Sequence, residues 1–275
     1  MRNYKKPNYK IIDFHTHPFK TLETSICQHP NSFDLSLDLT RSDLEALGIQ
    51  KICGSVIEGS SLRQKYEGKP FSADRMIALN DEALFLKDYY NGFYIPGFHV
   101  HPDFVKESIL EIERMAKEGV TLIGELVPYM QGWEDYSCKG FMEILDCAEH
   151  YGMMVNFHPM GAQDVTCMQM DDMVASHPNV KFIAAHPNNA KLFSDHVNRL
   201  KNNPNYYIDM SGGGLSAYGT LRTLLNVAPD RILFGSDYPT CNPCMFVGGV
   251  ENDYLLTEEE KQNVFYNNAC KLLEL

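Results

Sequence analysis

No stretch of the sequence approaches the run of about 20 apolar residues needed to cross a bilayer, which argues against a membrane-spanning helix. No G-x-G-x-x-G or Walker-type loop is present, so the usual backbone cradle for a nucleotide is missing. No low-complexity tract or break in composition marks a linker. Positive charge is scarce: Lys+Arg 24 against Asp+Glu 36 gives 24 − 36 = −12, a field that repels a phosphate backbone and argues against nucleic acid as a partner. The eight cysteines are scattered, and the single C-x-x-C, Cys241 and Cys244, has no second pair, so it reads as two free thiols rather than a zinc ribbon. The basic start is followed by a short apolar segment carrying Asp13 and His15, which does not resemble a secretory signal. These absences lead us to expect a cytoplasmic protein with no membrane partner.

What is present is an alternation. Short apolar, β-branched runs at 10–14, 51–57, 94–100, 121–126, 153–158, 181–186, 206–211 and 231–237 read as eight strands. Segments of helical period fall between them, at about 41–47, 74–90, 103–118, 140–150, 166–176, 190–201, 218–227 and 257–272. Gly48, Gly92, Gly119 and Gly152 lie where a left-handed residue would end a helix before the next strand. In the second half Pro178-Asn179, Pro204-Asn205 and Pro229-Asp230 take over that task. Thr257 to Glu260 has the spacing of a capping box. Eight strand–helix units in 275 residues predict an α/β fold, a closed (β/α)8 TIM barrel forming a single domain over residues 1–275, with an open doubly wound sheet as the alternative.

Closure would bring the C-terminal ends of the strands to one mouth. His15 and His17 end the first run; residues i and i+2 of an extended chain project to the same side, so both imidazoles can face one ion. Glu125 ends the fourth run, His158 the fifth, His186 the sixth and Asp237 the eighth. Nitrogen and oxygen donors of this kind suit zinc first and manganese second.

The motifs D-F-H-T-H-P at 13–18, F-H-P at 157–159, A-H-P at 185–187 and F-G-S-D-Y-P at 234–239 resemble those of the amidohydrolase superfamily, most closely its amidohydrolase-2 branch. The resemblance implies a metal-dependent hydrolase binding one or two divalent ions. It implies His15, His17, His158 and Asp237 as ligands, with His186 a ligand or an acid/base. Asp237 would take a proton from the attacking water and pass it to the leaving group. Two departures stand out. Pro187-Asn188 follows the sixth-strand histidine where related members often carry glycine. Glu125 resembles the bridging carboxylate of binuclear members, although it could instead pair with a cation at the mouth. The expected substrate is a small amide, cyclic amide or lactone. The alternatives are decarboxylation or hydration of a small acid, a phosphoesterase, or a non-catalytic metal-binding scaffold on the same barrel. A homo-oligomer is compatible with the sequence.

His99 and His101 repeat the H-x-H spacing, but His101-Pro102-Asp103 also reads as the start of a helix, and nothing is left to complete a second site. His29, His150, His177 and His196 fall in loops or helices and are expected to be solvated. The long loops at about 18–40, 58–73, 127–139 and 238–256 are expected to contact substrate. Within them Arg63, Lys65 and Lys69 would suit a carboxylate, and Trp133, with Tyr218 in the seventh loop, would wall a ring. Gly212, Gly213 and Gly214 either allow close backbone approach to a ligand or form a flexible turn.

Overall fold

A computed structural model describes residues 8–21, 25–26, 36–58, 69–159, 163–187, 190–215 and 217–275. Eight parallel strands follow chain order: β1 (Ile11–Asp13), β2 (Ile49–Ser55), β3 (Tyr94–Phe98), β4 (Leu122–Leu126), β5 (Met154–Phe157), β6 (Lys181–Ala184), β7 (Tyr206–Asp209) and β8 (Ile232–Leu233). The ring closes through bonds just beyond the short last strand. Phe14 N donates to Phe234 O (2.8 Å), His17 N to Tyr238 O (2.6 Å) and Asp237 N to His15 O (2.8 Å). A buried side-chain clamp adds to this closure, since Asp13 accepts from Ser236 through both N (2.9 Å) and Oγ (2.5 Å).

Neighbouring residues within a strand belong to different apolar clusters, as a period of two requires. Ile12, Cys53, Leu122, Met154, Ile183 and Leu233 form one cluster, closed off by Ala269 and Leu272 of the helix Asn268–Leu273. Ile11, Ile52, Ile123, Val155, Phe182 and Ile232 join the larger cluster with the surrounding helices. One filled interior and one helix-covered exterior are the two layers of a barrel.

The helices begin and end for local reasons. Ser72 caps Ala73–Tyr90 by accepting from Arg75 N, and the Thr257–Glu260 capping box forms as expected. Gly48, Gly92, Gly119 and Gly152 all have positive φ, between 64° and 90°. Asn205 binds the carbonyls of Val174, His177 and Val180 through Nδ2, tying a helix end to the start of β6.

Several expectations need correction. The strand expected over 231–237 is regular only at Ile232–Leu233, because residues beyond Leu233 turn away to close the barrel. Two loops contain helices, Pro128–Gln131 and Pro243–Glu251. Trp133 walls no open site: it is buried against His101, Tyr136 and Phe141. His177 and His196 are buried rather than solvated, and His196 bonds Tyr206 through Nδ1 (2.7 Å). His29, Arg63, Lys65 and Asn188 lie outside the described residues. Among the described residues no helix is long and apolar enough to cross a membrane.

Candidate metal centre

Each site residue sits at or just past a strand end, and the barrel brings all six together. His15 and His17 follow β1, with their Nε2 atoms 3.2 Å apart. Glu125 is on β4 and lies against both, its Oε2 3.4 Å from His15 Nε2 and 3.3 Å from His17 Nε2. Its other oxygen faces the opposite pair, 3.1 Å from His158 Nδ1 and 3.3 Å from His186 Nε2. Asp237 Oδ1 is 3.4 Å from His17 Nε2 and 3.9 Å from His15 Nε2. All are buried except His158, whose side chain is 28% exposed and so forms the solvent side of the cluster.

Two of these residues adopt backbone conformations that side chains normally avoid: φ is 54° at His186 and 60° at Asp237. Such outliers collect at functional sites, where surrounding structure must hold them. Gly212 shows part of that constraint. A Cβ there would lie 2.3 Å from His186 Nδ1, so the close approach made possible by glycine is to the site histidine itself.

A shell of acceptors fixes the histidine tautomers. His15 Nδ1 faces Asp209 Oδ2 (3.0 Å) and His17 Nδ1 faces the Ser55 carbonyl (3.0 Å). Both partners are acceptors, so each Nδ1 carries the hydrogen and each Nε2 presents a lone pair when the ring is neutral. Ser211 Oγ donates to Asp209, so it accepts from His186 Nδ1 (3.0 Å), leaving His186 Nε2 in the same state. Lone pairs and carboxylate oxygens thus converge on one space, an arrangement that needs protons or a cation. The titration behaviour has the same cause. Burial opposes charge on His17, but Asp237 and Glu125 bring its pKa up to about 9. Burial opposes charge on His15 too, yet Asp209 and Glu125 raise its pKa well above the ordinary value. Burial would raise the pKa of Glu125 and Asp237, but the adjacent histidines hold both below the usual carboxylate range.

The donor set fits divalent ions. His15, His17 and Asp237 offer three ligand atoms within 4.8 Å of one another, and His15, Glu125 and His186 offer another such set. His158 belongs to neither set and reaches the cluster through Glu125.

Sequence reasoning passed over Asp209 and Ser211. The signal was present in YYIDMS, an apolar run ending in an acidic residue as RILFGSD does. Asp209 is fully buried and also accepts from Asn156 Nδ2 (3.1 Å). The strand-three histidines serve other purposes. His101 accepts from Asp103 N (3.1 Å) at a helix start and faces the Gln131 carbonyl through Nε2 (3.1 Å), while His99 Nε2 faces the Val56 carbonyl (2.8 Å). The cysteine motif is two free thiols, and Cys241 Sγ lies 3.6 Å from Asp237 Oδ2.

Comparison with solved structures finds the same fold across nearly the whole chain. 2,6-Dihydroxybenzoate decarboxylase from Rhizobium is 14% identical with a TM-score of 0.71, covering 97% of this chain and 99% of that one. 5-Carboxyvanillate decarboxylase from Novosphingobium aromaticivorans, solved with manganese and 4-hydroxy-3-methoxy-5-nitrobenzoic acid, is 17% identical with a TM-score of 0.72, covering 98% and 97%. An uncharacterized TIM-barrel protein from Bordetella bronchiseptica is 18% identical with a TM-score of 0.72, covering 96% and 98%. At these identities the likeness is one of fold. No curated protein matches the sequence. The family model described as amidohydrolase, of the amidohydrolase-2 branch, matches residues 12–275, and the chain therefore belongs to that family.

Proposed function

We propose that this protein is a metal-dependent hydrolase with a two-ion centre bridged by Glu125, cleaving an amide, cyclic amide or lactone of a small molecule. The observation that carries the reading is the division of Glu125 between two histidine pairs, Oε2 toward His15 and His17 and Oε1 toward His158 and His186. A pair of imidazoles on each oxygen offers donors for an ion on either side of the carboxylate. In this reading His15, His17 and Asp237 would hold one ion, and Glu125, His158 and His186 would hold the other.

Zinc is the first choice for a histidine-rich set with carboxylates, and manganese the second. A bound divalent ion supplies Lewis acidity, lowering the pKa of water from 15.7 to about 7 and polarising a carbonyl. The chain's own groups handle the proton. Asp237 Oδ2, turned away from the histidines toward Cys241, is the oxygen positioned to take it and pass it to the leaving group. Asp209 and the Ser55 carbonyl keep the two first-strand imidazoles in the ligating tautomer.

Decarboxylation is the competing chemistry, because the decarboxylases described above share this fold. The test combines metal analysis with a product assay. Protein loaded with zinc or manganese is expected to hold two ions per chain, falling to one or fewer in Glu125→Gln. It is expected to open aryl lactones or cleave anilides without releasing carbon dioxide from 2,6-dihydroxybenzoate or 5-carboxyvanillate. One ion per chain together with carbon dioxide release would overturn the proposal in favour of a lyase, and turnover confined to p-nitrophenyl phosphate would make the protein a phosphoesterase.

A further inference from the structure

Next to the metal cluster the barrel mouth opens into a cavity of about 280 Å³. Ile57 beyond β2, Val127 and Met130 beyond β4, and Phe71 and Leu79 near the start of the helix Ala73–Tyr90 give it apolar walls. Two contacts tie it to the cluster. Tyr129 on its rim stands edge-on to His158, with ring centroids 5.5 Å apart, and His99 on its wall is anchored to the carbonyl of Val56, the residue after the one that fixes His17.

The polar groups of this wall are matched inside the protein. The Glu58 carboxylate and the Arg75 guanidinium are both buried and pair with each other, and the guanidinium also lies over the Phe71 ring (5.3 Å). Each is the other's counter-charge. His99 Nε2 donates to Val56 O, so its Nδ1 accepts from Gln131 Nε2 (2.9 Å), and Gln131 Oε1 accepts from Trp133 Nε1 (3.0 Å). Burial pushes the His99 pKa down to about 4, so the ring stays neutral. Lys69, expected from the sequence to suit a carboxylate, is exposed and forms no part of the wall. Among the described residues the cavity thus offers apolar surface and no unmatched charge. A charged group entering it would lose hydration and meet no counter-charge, whereas an apolar group gains by leaving water.

We propose that this cavity receives the part of the substrate remote from the metal and selects an uncharged, apolar group there, an alkyl-substituted ring in preference to one bearing a carboxylate or a cationic group. Glu58 and Arg75 act on that choice by cancelling each other, so neither sign of charge is rewarded. The walls at Ile57, Phe71, Leu79 and Val127 take the apolar group, and Tyr129 leads from the pocket to His158. The inference rests on the hydrolase reading for which end of the substrate meets the metal, while the selectivity of the pocket is measured apart from turnover.

The probes are para-isopropyl-, para-carboxy- and para-amidino-benzohydroxamic acid. They share a metal-binding head and a branched outline at the far end, where they carry no charge, a negative charge and a positive charge. Dissociation constants for the zinc-loaded protein are read by calorimetry. The isopropyl probe is expected to bind about tenfold or more tightly than either charged one. The field of the metal alone would favour one sign and oppose the other, so weaker binding of both signs reports the pocket. Leu79→Ala, which trims the apolar wall and leaves the ion pair intact, is expected to weaken the isopropyl probe severalfold and the charged probes little. Glu58→Gln leaves the Arg75 charge unmatched and is expected to shift the balance toward the para-carboxy probe about tenfold. Should that variant fail to fold, the natural protein and Leu79→Ala still decide. A charged probe binding as tightly as the isopropyl one, equal losses for all three in Leu79→Ala, or no binding of any probe would overturn the proposal. If amides or lactones are hydrolysed while the probes are not discriminated, the pocket assignment alone falls. If the isopropyl preference holds but no hydrolysis occurs, the hydrolase reading alone falls.

Discussion

Three strands meet at the buried carboxylate of Asp209, which accepts from His15 after β1, Asn156 on β5 and Ser211 after β7. It fixes the hydrogen on Nδ1 of His15, and in the proposed centre it would thereby leave Nε2 to bind an ion. An amide in its place can turn its NH2 toward Nδ1 and favour the wrong tautomer. Asp209→Asn is therefore expected to weaken metal binding about 10- to 100-fold, read by competition with a chromophoric chelator, with the circular dichroism spectrum unchanged. His15→Ala and Asp237→Asn should abolish turnover while the barrel remains folded. His101→Ala is a contrasting case. It removes a helix-start acceptor and a bond to a loop carbonyl, so it should retain metal and turnover while lowering stability by about 1 kcal/mol per lost bond. Loss of metal on His101→Ala would move the centre to strand three.

Within single elements, backbone clearance decides which substitutions are tolerated. Gly124, one residue before Glu125 on β4, has φ of 92°, and a Cβ there would lie 2.0 Å from the Asn156 carbonyl. Gly119, in the turn leading to β4, has φ of 70° with nothing within 4 Å of the same hypothetical atom. Gly119→Ala should cost only about 1 kcal/mol, the price of a left-handed backbone, while Gly124→Ala should lower the melting temperature further and displace Glu125, so that metal stoichiometry falls with it. Equal melting losses in the two variants would show that the predicted clash is relieved by a small shift. These elements also show what the sequence could reveal. Strand–helix alternation was legible because apolar runs with period two and helices with period 3.6 leave different marks, and Gly48, Gly92, Gly119 and Gly152 punctuate them. The helix Pro243–Glu251 fell inside the stretch read as a loop, although Asn242 caps it by accepting from Cys244 N and Pro243 opens its first turn; burial of Phe246, Val247 and Val250, which the sequence did not reveal, completes it. Burial is also what misled the reading of Trp133, since a side chain in a long loop gives no sign of whether it turns inward.

For the whole molecule, stability against pH is set by groups far from the mouth as well as at it. The sequence pointed to the six side chains that meet at the mouth because their chemistry marked them, but it had no means of knowing that His196 is fully buried within the helix Ala190–Asn202. Burial, with the Arg199 charge nearby, pushes the His196 pKa from its ordinary value of 6.5 down to about 3, and burial takes His99 down to about 4. The unfolded chain takes up protons at both positions below pH 6.5 while the folded chain does not. Their contribution is thus complete above 6.5 and is lost as pH falls toward 4 and then 3. Asp13 works in the opposite sense: burial raises its pKa to about 7, so its contribution is complete below about 4 and is lost as pH rises through 7. A single-site variant separates these effects. His196→Gln, which keeps a polar partner for Tyr206, should be less stable than the natural protein near pH 7.5. That deficit should shrink on acidification by up to about 1.4 kcal/mol per pH unit below 6.5, because the variant has no imidazole to hold neutral. Melting curves of the two proteins from pH 7.5 to 5 would read this directly, and a constant separation between them would mean that His196 takes up its proton without opening the fold.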